Sequence, residues 1–147
     1  MHSNKYTIIF TMLITMVLAF VLSSVYSSLE EQTERNVRAD IKKNILSSLG
    51  FVPSEDMPWT TENVETIFTS SITSFVIDEN GDIVDGMNPE DIDPKVDKNV
   101  FPLYKKMTDG KVDGFAIPIS GKGLWGTMYG YFAIEPDGAT AKGITFY

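Results

Sequence analysis

Apolar positions along this chain fall into three regimes. The first is an uncharged run, Ile8–Val25, 18 residues in which only Thr11, Thr15, Ser23 and Ser24 are polar. As a helix it spans roughly 27 Å, close to the hydrocarbon thickness of a bilayer. Tyr6 and Tyr26 bracket it, where aromatic rings favour the membrane–water interfaces. The second regime has helical spacing. Val37, Ile41, Ile45 and Leu49 recur every four residues with Leu46 beside them, and Gly50 stands where a helix would stop. Ser28-Leu29-Glu30-Glu31 has the form of a capping box, so the spacing predicts an amphipathic helix over 28–50. Acids (Glu30, Glu31, Glu34, Asp40) and bases (Arg35, Arg38, Lys42, Lys43) cover its other faces. Such a helix packs on the following domain and lifts it off a membrane. Pro53 and Pro58 make 51–60 a linker. Thr60 is then an N-cap, Trp59 and Val64 form a hydrophobic staple, and Val64, Ile67, Phe68 and Ile72 line one face of a short helix.

The third regime belongs to strands. Ser74–Asp78 and Asp82–Asp85 flank Asn80-Gly81, the strongest short hairpin signal. Residues 86–100 hold two prolines and six charges and read as a surface loop. Val112–Pro118, Met128–Ile134 and Ala141–Tyr147 read as strands, joined by a glycine-rich loop at Gly121–Gly126 and a turn at Pro136-Asp137-Gly138. Helical patterns followed by closely spaced strands with short turns predict an α+β fold with a mainly antiparallel sheet, carried behind one transmembrane helix. The expected divisions are an anchor over 1–27, the amphipathic helix over 28–50 and a domain over 51–147.

Charge and composition narrow the functions. Net charge is −8, which argues against a nucleic-acid partner. The acidity is local: residues 51–100 carry 12 acids and 2 bases, whereas 101–147 carry 4 acids and 5 bases. There is no cysteine, so disulfides, thiolate metal sites and iron–sulfur ligation are excluded from this chain. The only histidine is His2, which leaves no Ser-His-Asp or Cys-His nucleophilic centre and no histidine metal cluster. Any chemistry here comes from a cofactor or a partner. Asp78-x-Asn80-x-Asp82 imitates a calcium loop, but Ile83 stands where glycine is needed and Pro89 where glutamate is needed.

The densest glycine–aromatic run is Pro118-Ile119-Ser120-Gly121-Lys122-Gly123-Leu124-Trp125-Gly126-Thr127-Met128-Tyr129-Gly130-Tyr131. Glycines this close cost backbone entropy and bury little, so they suit a sharp turn or the close approach of something flat. The run lacks both the Walker pattern and the strand-to-helix setting of a dinucleotide loop. As a whole it resembles the flavin-binding domain of the NqrC family, a component of the sodium-translocating NADH:quinone oxidoreductase, a bacterial respiratory pump. The match continues through Phe132-Ala133-Ile134-Glu135-Pro136-Asp137 and Gly143-Ile144-Thr145-Phe146-Tyr147, and takes in Phe101-Pro102-Leu103-Tyr104 and the apolar N-terminus. A paralogous flavin subunit of the Rnf-type electron-transport complex shares the domain.

The resemblance implies an incomplete FMN-binding domain. The downstream half would hold a Glu-Thr-Pro-Gly-Leu-Gly type loop and the Ser-Gly-Ala-Thr segment whose threonine takes flavin mononucleotide through a phosphoester. Asp137-Gly138-Ala139-Thr140 imitates that segment. Asp137 stands where Ser or Thr precedes Gly-Ala-Thr, and Ile134 where the signature has Asp three residues earlier, so the covalent threonine is not expected in this chain. Gly123, Leu124 and Trp125 are the expected ring-facing loop, glycine for close approach and Leu and Trp for apolar cover. Further implications are an electron-relay role in a complex that oxidises NADH, reduces ubiquinone and exports Na+, other subunits of that complex as partners, and a single-pass place in the bacterial inner membrane with the soluble part periplasmic. A membrane-anchored extracytoplasmic binding or sensor module without catalytic activity fits the same layout.

The apolar run is also open to reading as a cleaved signal peptide, with Val25-Tyr26-Ser27 as the cleavage site, though 18 residues is long for a signal core. Either way the remainder lies outside the cytoplasm. Lys5 before the run and Glu30, Glu31 and Glu34 after it set the orientation, with Arg35 and Arg38 opposing weakly. Protease added to spheroplasts should therefore cleave the acidic segment 51–100, and protection of that segment would reverse the assigned topology.

Overall fold

The structure is a computed structural model that describes residues 4–92 and 96–147. His2 and residues 93–95 of the expected surface loop lie outside the described residues. In chain order the elements are α1 (Asn4–Ser48), α2 (Thr61–Ser71), β1 (Ile72–Asp78), a 3-10 turn at Pro89–Asp91, β2 (Val100–Thr108), β3 (Lys111–Lys122), β4 (Thr127–Ile134) and β5 (Ala141–Phe146). The chain forms two compact units, Met1–Arg38 and Ala39–Tyr147.

The first unit is helical from Asn4 onward. It holds the one described helix long and apolar enough to cross a membrane, and none of its apolar window is buried within the chain. The hydroxyls of Thr11, Thr15, Ser24 and Ser28 each donate to the carbonyl four residues back, so they add no unsatisfied polar group to the apolar surface. The capping box at Ser28 therefore opens nothing: its hydroxyl donates to the Ser24 carbonyl at 2.9 Å, inside the helix. The physical reason is the absence of any glycine or proline between residues 4 and 49. A cap residue starts a helix only where the preceding backbone has left helical geometry. Val37, assigned to the apolar stripe, is 52% exposed.

The second unit is an α+β layer. All neighbouring strands are antiparallel, in the order β1-β2-β3-β4-β5. Ile45, Leu46 and Leu49 at the end of α1, with Val64 and Phe68 of α2, pack on Tyr104, Ala116, Tyr131 and Ala133 of the sheet. Burial of each large apolar side chain contributes about 1.5–3 kcal/mol. Gly50 ends α1 as its spacing predicts, with φ at 85°. The Phe51 N–H reaches the Leu46 carbonyl at 3.0 Å and the Gly50 N–H reaches that of Ser47 at 3.0 Å, a Schellman stop. Thr60 caps α2 by accepting from the Asn63 N–H at 3.2 Å, and Trp59 packs against the same core as Val64.

Ion pairs pin these layers. Lys42 Nζ lies 2.8 Å from Glu65 and 3.0 Å from Glu90, and 5.1 Å from the centre of the Phe68 ring. Burial opposes its charge, but the hydrogen bonds and charges of Glu65 and Glu90 outweigh that and raise its pKa. Lys106 Nζ donates to the Leu49 carbonyl at 3.2 Å, one of the orphan acceptors at the end of α1.

Two strand assignments change. The Asn80-Gly81 turn forms, with the Asp78 carboxylate accepting from the Asn80 and Asp82 N–H groups, but Asp82–Asp85 returns only through a single bridge, Ile77 to Ile83. The true neighbour of β1 is β2, over a stretch whose pattern predicts no strand. Pro102 sits within that stretch and Lys105-Lys106 breaks its alternation, which together mask a strand.

The sheet has one covered and one open face. On the covered face Tyr104, Ala116, Tyr131 and Ala133 are buried under the helices. The registers set Phe75 opposite Leu103, and Ile117, Phe132 and Ile144 in one row, on the opposite face, where no side chain reaches burial.

Glycine permits the close approach of the end of α1 to the sheet. A Cβ on Gly143 would collide with the Ser48 carbonyl oxygen, whereas one on Gly121 meets nothing within 4 Å. Gly143→Ala should lower stability by about 1–3 kcal/mol in denaturant unfolding followed by circular dichroism, the usual cost of overpacking. Gly121→Ala should stay within about 0.5 kcal/mol, as open surface changes do.

Candidate functional site

The glycine–aromatic run forms the end of the β3–β4 hairpin. Eight pairs join these strands, from Phe115–Ile134 to Lys122–Thr127. β2 accompanies β3 only as far as Tyr104–Ala116. Two residues further that register sets Pro102 opposite Pro118, and neither has an amide proton to donate. The ladder stops there, which leaves Ile117–Lys122 paired to β4 alone. On the other side β5 pairs with β4 over Gly130–Ile134, and the Tyr147 N–H still donates to the Tyr129 carbonyl at 2.9 Å, so Thr127 and Met128 lie past that contact.

Gly123, Leu124, Trp125 and Gly126 make the tip. The Gly123 N–H donates to the Gly126 carbonyl at 2.8 Å and closes the loop. A Cβ on Gly123 would lie 2.9 Å from both the Gly126 oxygen and Met128 Cγ, so glycine is what lets the loop close over Met128. The three residues singled out from sequence thus share one four-residue loop. Leu124 is 90% exposed and Trp125 96% exposed, both outside the helix-packed core. Apolar side chains left in water forgo about 1.5–3 kcal/mol each that burial would return. Met128, 47% exposed at the foot of the tip, extends the same apolar surface. The sequence signal for it is its place as the first apolar residue of β4, opposite Gly121.

Behind the tip the sheet is rigidly built. Tyr131 meets Tyr104 edge-on at 5.8 Å and stacks on Tyr147 at 6.2 Å. Burial pushes the Tyr104 hydroxyl up to about 12 and raises that of Tyr131 further, so both stay neutral donors. At the far end of the hairpin Asp113 lies 2.7 Å from Lys106 and 3.2 Å from Lys142, and Lys142 also pairs with Glu135 at 3.2 Å. The hydrogen bond from Lys106 leads the causes that hold the Asp113 carboxyl below its usual range.

Asp137-Gly138-Ala139-Thr140 is the β4–β5 turn. Thr140 Oγ1 donates to Asp137 Oδ2 at 2.6 Å, and the Ala139 and Thr140 N–H groups both donate to Asp137 Oδ1 at 2.9 Å. These bonds, the Thr140 hydroxyl first, hold the Asp137 carboxyl at about 2. Gly138 takes φ of 70°, ordinary turn geometry. The threonine hydroxyl is thus engaged by a carboxylate within its own turn.

No family model matches the chain. Among relatives, the NqrC protein of the Na(+)-translocating NADH-quinone reductase of Pasteurella multocida (strain Pm70) is 32% identical over 132 residues, covering 74% of this chain and 49% of that protein. Its counterpart from Neisseria meningitidis serogroup B is 52% identical over a shorter stretch of 42 residues, 29% of this chain and 16% of that one. Among solved structures, NqrC of Shewanella oneidensis matches with a TM-score of 0.58 and 26% identity, covering 75% of this chain and 58% of that chain. The counterpart from Parabacteroides distasonis matches in fold with a TM-score of 0.66 at 24% identity, covering 81% and 57%. By these likenesses of sequence and fold the chain belongs to the NqrC family of the Na(+)-translocating NADH-quinone reductase, and it spans about half the length of the curated relatives it matches.

Proposed function

We propose that this chain is part of an electron-relay subunit of a membrane-bound, Na+-pumping NADH:ubiquinone reductase, that it is anchored in the bacterial inner membrane by α1 with the domain on the periplasmic side, and that the β3–β4 tip covers the ring of flavin mononucleotide. The divisions that go with this reading are an anchor over 1–27, an amphipathic continuation over 28–50 and the first part of the flavin domain over 51–147. The observation that carries the flavin assignment is the near-complete exposure of Leu124 and Trp125 on a glycine loop. The chemistry of these residues suits a planar apolar ring. A Cβ on Gly121 or Gly126 would meet nothing within 4 Å, so the backbone beside them is open to close approach. Leu124 and Trp125 supply apolar cover and exclude water on one side. Lys122, directly before the loop, supplies a positive charge beside it.

When bound, the flavin supplies the electron-accepting and electron-donating chemistry. The residues of this chain orient and desolvate it. The Thr140 hydroxyl, held by Asp137, does not serve as the phosphoester site, and a phosphate dianion brought there would meet the Asp137 carboxylate.

The test uses two chains, each co-expressed with the flavin transferase: the 147-residue chain, and the same chain extended with the remaining half of the Pasteurella multocida protein. After denaturing electrophoresis only the extended chain should fluoresce. Trp125→Ala in the extended chain should loosen or spectrally shift the flavin, since aromatic packing is worth about 0.5–1.5 kcal/mol beyond burial. An unchanged flavin spectrum with unchanged quinone reduction would remove Trp125 from the site. A fluorescent band from the 147-residue chain that disappears with Thr140→Ala would move the attachment to Thr140.

A further inference from the structure

Met128 is the side chain on which the tip closes. A Cβ on Gly123 would lie 2.9 Å from Met128 Cγ and 3.2 Å from its sulfur, so the thioether lies against the loop backbone. The same Cβ would lie 2.9 Å from the Gly126 carbonyl oxygen. The Gly123 backbone, the Gly126 oxygen and the Met128 sulfur therefore meet around one point. The bond that closes the loop passes there too, from the Gly123 N–H to the Gly126 carbonyl at 2.8 Å.

The other flank of Met128 is open. Its partner on β3 is Gly121, where a Cβ would meet nothing within 4 Å. Met128 is 47% exposed, so a small solute has access to it. An unbranched thioether is soft and adaptable, which suits a place beneath a loop with no side chain at Gly123. It is also an apolar side chain that a mild oxidant makes polar. All these partners lie between Gly121 and Met128, within one hairpin, so their contacts do not depend on what packs elsewhere on the sheet.

We propose that Met128 is an oxidation site that opens the tip: a peroxide converts its thioether to the sulfoxide, and the new oxygen takes the Gly123 N–H from the Gly126 carbonyl. A sulfur lone pair attacks one oxygen of hydrogen peroxide. The S–O bond forms as the O–O bond breaks, and the second oxygen leaves as water with both protons. Sulfur gives up two electrons and the peroxide accepts them, so no further reactant is needed. Thioether sulfur is a weak acceptor and does not compete for the Gly123 N–H, whereas the polar sulfoxide oxygen does. Gly126 is exposed, so its released carbonyl turns to water and no polar group is left unpaired. Leu124 and Trp125 ride on this loop, and its opening withdraws the apolar cover they form. The loop chemistry stands without the flavin reading; its consequence for that cover rests on it.

The test uses the full chain in detergent micelles, isotope-labelled at the lysine carbonyl and the glycine nitrogen. Lysine directly precedes glycine at two places, so the spectrum holds two amide signals, Gly123 and Gly143. Gly143 lies against Ser48 at the end of α1 and is the internal reference. Met57 and Met87, 48% and 46% exposed and outside the hairpin, report access of the oxidant. Hydrogen peroxide that oxidises these two should also add one oxygen to Met128, read by peptide mass mapping. It should move the Gly123 signal and speed its hydrogen exchange roughly fivefold or more, as loss of one hydrogen bond implies, and leave Gly143 in place. Sulfoxide reductases for both epimers should restore the Gly123 signal. Met128→Leu, which has no sulfur, should abolish the response. Met57→Leu combined with Met87→Leu should retain it, which keeps the test decisive where leucine at 128 itself disturbs the loop. Three results would each overturn the proposal: Met128 left unoxidised where Met57 and Met87 are oxidised, an oxidised Met128 with an unmoved Gly123 signal, or the same response in Met128→Leu. None of the three bears on the flavin reading, which the fluorescence of the extended chain tests separately.

Discussion

The domain depends on how closely the end of α1 lies on the sheet. That approach is set by backbone rather than by side-chain bulk. Gly143 lets β5 run against the Ser48 carbonyl, Gly114 and the alanines Ala116 and Ala133 keep the covered face shallow, and Gly50 turns the chain away at the point where the helix must end. With the helix held at that distance, Ile45, Leu46 and Leu49 reach the sheet fully, and the two tyrosines beneath them keep their hydroxyls within a buried hydrogen-bonded group. The polar atoms freed by this geometry are satisfied from the sheet: Thr145 Oγ1 donates to the Asn44 carbonyl at 3.1 Å, and Lys106 to that of Leu49 at 3.2 Å. Small residues at the contact and long polar residues at its rim are thus two parts of one solution.

The same sheet ends its central ladder early, and that creates the tip. Opposed prolines cannot continue hydrogen bonding between β2 and β3, so the β3–β4 hairpin continues without its inner neighbour. A two-stranded ribbon is marginal by itself, but this one is rooted in a five-stranded sheet and braced at its root by Asp113, Lys106, Lys142 and Glu135. The chain thereby holds two large apolar side chains in water on a fixed support. A site on such a support is more precise than the same residues on a mobile loop.

Legibility in the sequence tracked the locality of each signal. The apolar run, the Gly50 stop, the Thr60 cap with its Trp59 staple, the Asn80-Gly81 turn and the last three strands are all specified by residues within a few positions of one another, and the structure contains them. The tip residues Gly123, Leu124 and Trp125 belong to that group, because glycine spacing and an exposed aromatic are local facts. What they face is not local. β2 was hidden because its strand character comes from neighbours on both sides, Val76 against Pro102 and Ala116 against Tyr104, while its own residues include a proline and two lysines. The box at Ser28 failed for the converse reason: the local motif is present, but nothing upstream interrupts the helix.

The second apolar face shows how a two-sided strand differs from a one-sided one at the level of free energy. Each large side chain on that face forgoes part of the 1.5–3 kcal/mol, roughly, that full burial would return. The helix layer cannot supply this, since the sheet lies between. Substitution on the covered face removes contacts that already exist and should unfold the domain. On the open face the chain alone should tolerate substitution, because those side chains are already partly hydrated. The two faces of the sheet therefore differ in what they report: Ala116 and Ala133 report formation of the helix–sheet layer, and Phe132 lies on the face that layer leaves open. The alternation along β4, from Tyr131 to Ile134, sets both faces in four consecutive residues.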